Sequence, residues 1–423
     1  MEGSLGFLFL VFLIIPLPNF FIFCTGHSHS QLRCIDTERH ALLTFKQDLI
    51  DPLNRLSSWT VDGDCCHWLG VVCHKLTAHV HQLNLSTFYP GDYATIEQMD
   101  AYSQSKFGGK LNPSLLDLKH LNYFDLSFNN FFASPIPSFL GSMKSLTSLN
   151  LSHARFVGLI PHQLGNLSNL HYLNLDQGYS SAGLYVNNLE WLSGLPLLQH
   201  LDMSYVNLSK ASDWLQLTNT LPSLFDLRLS YCQLSFIPPT PSVNFSSLLT
   251  LDLSMNQFEN TLILSWIFGL RNLVSLDLSY NNFQSPIPID LHNMTSLRHL
   301  DLSGNYFNHT IPNWLYSFSR LEFLNLRNSN LQGTISSAIG NLTFAISIDL
   351  SKNELGGKLP RSLGNLCNLR EIRLSNNKWS QEISEILESL SGCLSDRLEI
   401  LDLSFSQLHG HLPDELGLFK NLV

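Results

Sequence analysis

The strongest constraint on this chain is a repeat. Within residues 272–302, NLVSLDLSYNNFQSPIPIDLHNMTSLRHLDL, the slots held by Leu276, Leu278, Asn281, Phe283, Ile287 and Pro288 return as Leu300, Leu302, Asn305, Phe307, Ile311 and Pro312. A period of about 24 residues is the signature of a solenoid. One copy is too short to bury its own apolar face, so copies must stack, pair short strands in parallel and share one core. Leu276 and Leu278 flank Asp277 at period two, which predicts a short strand with leucines inward and the aspartate outward. Asn281 falls where that strand ends. An inward amide there can satisfy backbone groups of its own and adjacent turns, and stacked copies form a ladder. Ile287 then anchors the continuing turn, and Pro288 fixes its φ.

The same pattern places strand starts at Leu83, Phe124, Leu149, Leu173, Leu201, Leu227, Leu251, Leu276, Leu300, Leu324, Ile348, Ile372 and Leu401. This predicts an array over 83–423 of about 12–13 repeats. Longer steps at Leu173, Leu201 and Ile372 mark insertions on the outer side, the last enclosing Cys367 and Cys393. Residues 86–107, STFYPGDYATIEQMDAYSQSKF, are too polar and irregular for a repeat and are expected to form an exposed insertion. Asn129, Asn256, Asn281, Asn305, Asn353 and Asn377 fill the ladder slot. Cys232 takes it once, as a packed thiol, and Ala154, Gly178, Val206, Ser329 and Ser406 interrupt it, so local irregularity is expected there. The array stops at Phe419–Val423 as another repeat begins, with no closing cap expected.

Composition narrows the class of partner. Charged residues are only 14% of the 423, and the formal net charge is -10. Nucleic acid is excluded as a partner, because phosphate contacts need clustered Lys and Arg and no basic run occurs. Residues 5–24, LGFLFLVFLIIPLPNFFIFC, are nearly all apolar but broken by Pro16, Pro18 and Asn19, which suits a secretory signal spanning 1–26. The segment before it carries Glu2 and no Lys or Arg, and an amino-terminal membrane anchor is the alternative reading. No run of about 18 apolar residues occurs further on, so no membrane span is expected there.

Eight cysteines fit an oxidising route. Cys34, Cys65, Cys66 and Cys73 cluster ahead of the repeats. CCHWLGVVCH, with His67 and His74, has the look of a zinc site, but a secreted context and adjacent cysteines favour two disulfides, and no metal or other cofactor is expected. Within TERHALLTFKQDL, Ala41, Leu42, Phe45 and Leu49 lie at helical spacing before an Asp51-Pro52 stop. With Trp59 and Trp68 this segment is expected to cap the first turn over 27–82.

The run CIDTERHALLTFKQDL, DPLNRLSSW and DCCHWLGVVC resembles the amino-terminal cap of plant extracellular leucine-rich-repeat proteins, and the LxLSxNxFxGxIP unit resembles their repeat. Residues 187–198 (NNLEWLSGLPLL) and 207–221 (NLSKASDWLQLTNTL) resemble plant receptor-like proteins that include receptors for fungal ethylene-inducing xylanase. The resemblance implies an α/β leucine-rich-repeat solenoid, a right-handed superhelix with a parallel sheet on its concave side and short helical or 3₁₀ turns opposite. It also implies cap disulfides pairing Cys34 with Cys65 and Cys66 with Cys73. Cys367 and Cys393 are expected to bridge the outer side of one repeat. The implied function is an extracellular ligand-recognition ectodomain in defence or developmental signalling, with a co-receptor kinase in the full-length family. The cell-surface or apoplastic space is the implied location. The rival is a secreted inhibitor resembling polygalacturonase-inhibiting proteins; a structural wall protein would bring Pro-rich sequence that is missing.

No GxSxG, HExxH or GxxxxGK[ST] pattern occurs, and the 17 histidines form no catalytic constellation in sequence, so an enzyme is not expected. The outward slot between strand leucines runs Asp125, Asn150, Asn174, Asp202, Arg228, Asp252, Asp277, Asp301, Asn325, Asp349, Arg373, Asp402. A second column holds Phe128, Tyr205, Tyr231, Met255, Tyr280 and Phe405. For any single aspartate the plain reading is a solvated filler. Together, acid beside aromatic suits a peptide, protein or glycan ligand, and the expected contacts are Tyr205, Tyr231, Asp252, Asp277, Tyr280 and Asp301. Sequons stand at Asn84, Asn150, Asn166, Asn207, Asn244, Asn293, Asn308 and Asn341. Asn84 and Asn150 occupy the outward strand slot, so glycans there would cover the early concave face and push binding toward 205–301.

Overall fold

A computed structural model describes residues 33–422, apart from 92, 179–182, 236–244, 259–262, 264 and 412–413. The signal expected over 1–26 and the sequon at Asn244 lie outside the described residues.

The architecture follows from the short strands. Fourteen of them make one sheet, from Val71–Cys73 to Ile400–Asp402, antiparallel at its first pair and parallel in every later pair. Register is leucine on leucine: Leu251 pairs with Leu276, which pairs with Leu300. A slip of one residue would turn each leucine to the wrong face, so burial fixes the register. Leu276, Leu278, Leu300 and Leu302 are fully buried, each worth roughly 1.5–3 kcal/mol. Opposite the sheet, five-residue 3₁₀ turns such as Ile289–Asn293 and Asn313–Ser317 return the chain, each preceded by a proline. Proline presets φ there and gives up no strand bond.

The asparagine ladder is made as its chemistry requires. Asn305 Nδ2 donates to the carbonyls of Leu278, Leu302 and Ser303 at 3.0, 2.9 and 3.2 Å, while its Oδ1 accepts from Phe283 N. Ala154 and Val206 have no side-chain donor and interrupt the ladder as expected, but at Cys232 and Ser329 it is less disturbed than expected. Cys232 Sγ reaches the carbonyls of Met203 and Ser230, and Ser329 Oγ reaches those of Leu302 and Arg327. Both small groups donate along the path an asparagine would use. At Gly178 the job passes to the preceding residue, the buried Gln177, whose Nε2 donates to Leu175 O.

The cap covers the first turn. Helix Asp36–Gln47 buries Ala41, Leu42 and Phe45, and the Trp59 and Trp68 rings stack 5.3 Å apart. Disulfides join Cys34 to Cys65 and Cys66 to Cys73. Buried Glu38 accepts from Val80 N at 2.7 Å, tying the helix to the first repeat strand. Cys367 is joined to Cys393 across the long step that holds helix Ile383–Leu390.

Residues 86–107 are more structured than an exposed irregular insertion. Thr95 and Gln98 form a reciprocal capping box that starts helix Ile96–Ser105. Tyr89 packs edge-on against Tyr102 and stacks flat on Phe128, which stacks on His153. The insertion therefore lies over the start of the aromatic column, while Phe88, Tyr93 and Ile96 stay exposed.

Candidate functional site

The outward strand slot has a structural duty that alternation alone does not show. Asp252 Oδ1 accepts from Ser254 N at 2.9 Å, Asp277 from Ser279 N at 2.9 Å and Asp301 from Ser303 N at 2.9 Å. Asn150, Asn174 and Asn325 accept the equivalent bond in their repeats. Each side chain closes an Asx turn that bends the chain off the strand. These aspartates are accordingly less solvated than expected: Asp125, Asp202 and Asp349 are buried, and Asp252, Asp277 and Asp301 are half-buried.

Closure of the turn leaves one carboxylate oxygen on each residue facing the concave side. Asp301 spends it on Asn325 Nδ2 at 2.7 Å. Asp277, flanked in register by Asp252 and Asp301, has no ion-pair partner among the described residues. Burial, reinforced by the charges of Asp252 and Asp301, pushes its carboxyl up to about 7. Burial raises Asp202 also. Near neutral pH the Asp277 carboxyl is therefore partly protonated, and an incoming cation would favour its charged form.

The aromatic column stands on an unusual backbone. Phe128, Tyr205, Tyr231, Met255, Tyr280 and Phe405 all have positive φ, from 50° to 63°. The left-handed position precedes the ladder slot in each turn and bends the strand into its loop; bulky residues accept it there at a cost of order 1 kcal/mol. Tyr231 and Tyr280 are 50% and 48% exposed. Tyr205 and Tyr231 pack with ring centroids 5.0 Å apart. Two cavities flank Tyr231 and Gln233: one of 390 Å³ with Leu184, Tyr185, Tyr205 and Asn207, another of 410 Å³ with Ser209, Ser235, Met255 and Gln257.

Of the six expected contacts, Tyr205 and Tyr231 share one cavity, and Asp252, Asp277 and Asp301 share one row, with Tyr280 following Asp277. Sequence reasoning missed a polar network just before them. His200 stacks on Tyr172 at 4.3 Å and meets Asp226 at 2.8 Å, and Arg228 meets the other Asp226 oxygen at 3.1 Å. Its only signal was a polar residue ahead of the strand leucine, a slot that varies freely. It missed the cavities too, because Gln233 and Gln257 belong to no motif.

The sequons occupy different settings. Asn84, Asn166, Asn293, Asn308 and Asn341 are exposed. Asn150 is half-buried, with Nδ2 donating to Asp125, and Asn207 is half-buried at the tyrosine cavity.

Comparison with known proteins agrees with the fold. Residues 35–74 match the leucine rich repeat N-terminal domain, and leucine rich repeat models match 145–167, 222–307, 320–342, 346–366 and 397–419. Receptor-like protein EIX1 of Solanum lycopersicum is 39% identical over 252 residues, covering 58% of this chain and 24% of that protein. Receptor-like protein EIX2 of the same species is 34% identical over 253 residues, 58% of this chain and 23% of that one. The chain thus spans about a quarter of the length of these relatives. Among solved structures, PEPR1-AtPEP1 aligns with a TM-score of 0.64 and 29% identity over 90% of this chain and 50% of that one. A TDR receptor structure, 24% identical with a TM-score of 0.59 over 77% of this chain and 60% of that one, shares the fold. No helix among the described residues is long and apolar enough to cross a membrane. The chain belongs to the leucine-rich-repeat proteins that carry the leucine rich repeat N-terminal domain, and its relatives here are plant receptor-like proteins.

Proposed function

We propose that the concave face recognises an extended ligand, a peptide or a protein segment with cationic character, as the extracellular recognition module of a plant receptor-like protein. The observation that carries this is the registered row Asp252, Asp277 and Asp301, bordered by Arg228 beside Asp252 and with no ion pair to Asp277 among the described residues, beside Tyr231 and Tyr280. Strands hold those side chains at a fixed pitch, so an extended ligand meets several at little ordering cost. The acids supply attraction and the tyrosines supply apolar area with hydroxyls. The likeness to proteins named receptor-like supports a recognition role, which we place in defence or developmental signalling. Three disulfides suit secretion to an oxidising exterior, where a co-receptor kinase would complete the signal.

The test is a panel of synthetic peptides of equal length, cationic and acidic, titrated against the secreted chain. Cationic peptides are expected to bind, more weakly as salt rises. Alanine at both Tyr231 and Tyr280 should cost about 2–4 kcal/mol of that binding. Equal binding of acidic peptides, or unchanged affinity of a folded double variant, would move the site off this face.

A further inference from the structure

Asn207 begins the sequon Asn207-Leu208-Ser209 and forms part of the wall of the cavity between Tyr205 and Tyr231. Its setting is rigid. The backbone N–H donates to Leu184 O at 2.9 Å, and the carbonyl accepts from Val186 N at 3.2 Å. Oδ1 accepts from Ser209 N at 3.0 Å and from Ser209 Oγ at 2.7 Å. Those two bonds fix the plane of the side-chain amide, and Nδ2 is the one polar atom of the residue without a partner among the described residues. Exposed sequons such as Asn293 and Asn341 sit on open 3₁₀ turns instead.

From this we infer that an N-glycan on Asn207 lays its first sugar into the Tyr205–Tyr231 cavity and closes that part of the concave rim. The chemistry is ordinary. Nδ2 bonds to the anomeric carbon of a lipid-linked oligosaccharide diphosphate as the bond from that carbon to the diphosphate breaks. The diphosphate leaves with the electron pair, and Nδ2 loses one proton. The linkage is a planar amide, so once Ser209 fixes the Asn207 plane on folding, the direction of the first sugar is fixed too. A volume of 390 Å³ is within the range that holds a small ligand. Tyr231 and Tyr185 offer apolar ring surface to a pyranose, and Gln233 offers an amide to its hydroxyls. A glycan at this place leaves the Asp252–Asp301 row open and makes Tyr231 its border.

The experiment needs no ligand. The chain is secreted from plant cells as wild type, Ser209→Ala and Asn207→Gln, and folding is checked by circular dichroism and melting. Native protein is then treated with tetranitromethane, and tyrosine nitration is mapped by mass spectrometry. Tyr231 in the wild type should react at least about fivefold more slowly than in either variant, as expected for a group screened from solvent. Tyr280, equally exposed but outside the cavity, should react at one rate in all three. An unmodified Asn207 in the secreted wild type, or equal Tyr231 rates with Asn207 modified, overturns the inference. The peptide titrations are read separately with Tyr280→Ala, which lies outside the cavity, so failure of this inference leaves the recognition reading standing, and the reverse.

Discussion

Asp277 serves two roles that pull its carboxyl in opposite directions. It must accept from Ser279 N to close the turn, and it must sit half-buried between Asp252 and Asp301. The second wins, so its carboxyl titrates near 7 in place of the ordinary 3.8. A raised folded value means that the native state holds the proton longer. The contribution is fully present below about 3.8 and is lost as pH rises through about 7. Asp277→Asn keeps the turn bond, as Asn150, Asn174 and Asn325 do, and removes the charge. It should raise stability at pH 7–8 by about 2 kcal/mol, a gain that shrinks to nothing near pH 4 in denaturant titrations. Gly304 is the second informative residue. It occupies the left-handed slot at φ 68°, and a Cβ there would meet the Tyr280 ring at 2.6 Å. Gly304→Ala should cost about 1–2 kcal/mol in thermal melts and displace Tyr280. The inward leucines and the ladder asparagines were legible because each announces its burial by type and period. The left-handed slot was not, since phenylalanine, tyrosine and methionine there give no hint of positive φ.

At the scale of the turn, polar satisfaction matters as much as leucine burial. Asn305 serves three carbonyls and one amide, all buried; Asn305→Leu would take one donor from each carbonyl, which keep Asn281 Nδ2, Ser329 Oγ and Tyr280 N, and would leave the Phe283 N–H unpaired. Equilibrium unfolding should show a loss of about 3 kcal/mol, well above that of an exposed polar substitution. The long step after Ile372 is a different case. Its length was plain from the missing strand start, but helix Ile383–Leu390 has no counterpart in the repeat: it buries Ile386, Leu387 and Leu390 at period three to four, where the neighbouring turns carry short 3₁₀ segments. The Cys367–Cys393 bridge closes that segment, at a sequence separation of 26. Cys393→Ser should cost about 3 kcal/mol and open the segment to limited proteolysis before the rest of the array.

Over the whole molecule, each turn touches mainly its neighbours, so stability is a sum of local terms and the cap is the first of them. The array and its amino-terminal cover were readable from sequence because repetition multiplies a weak signal. The insertion over 86–107 was read only as an interruption, since nothing in its polar sequence tells where Tyr89 will land. It lands on Phe128, and that placement has a consequence for any extended ligand lying along the column. A scale is useful only when its zero is fixed. With Tyr89 seated on the first rung, His153 behind it and the glycan inferred at Asn207 reaching to Tyr231, a chain laid along the Asp252–Asp301 row and Tyr280 meets a wall at one end and open rungs at the other. Ligands of unequal length would then share their contacts at the walled end and differ only at the open one, so the surface would sort them by composition first and by length second.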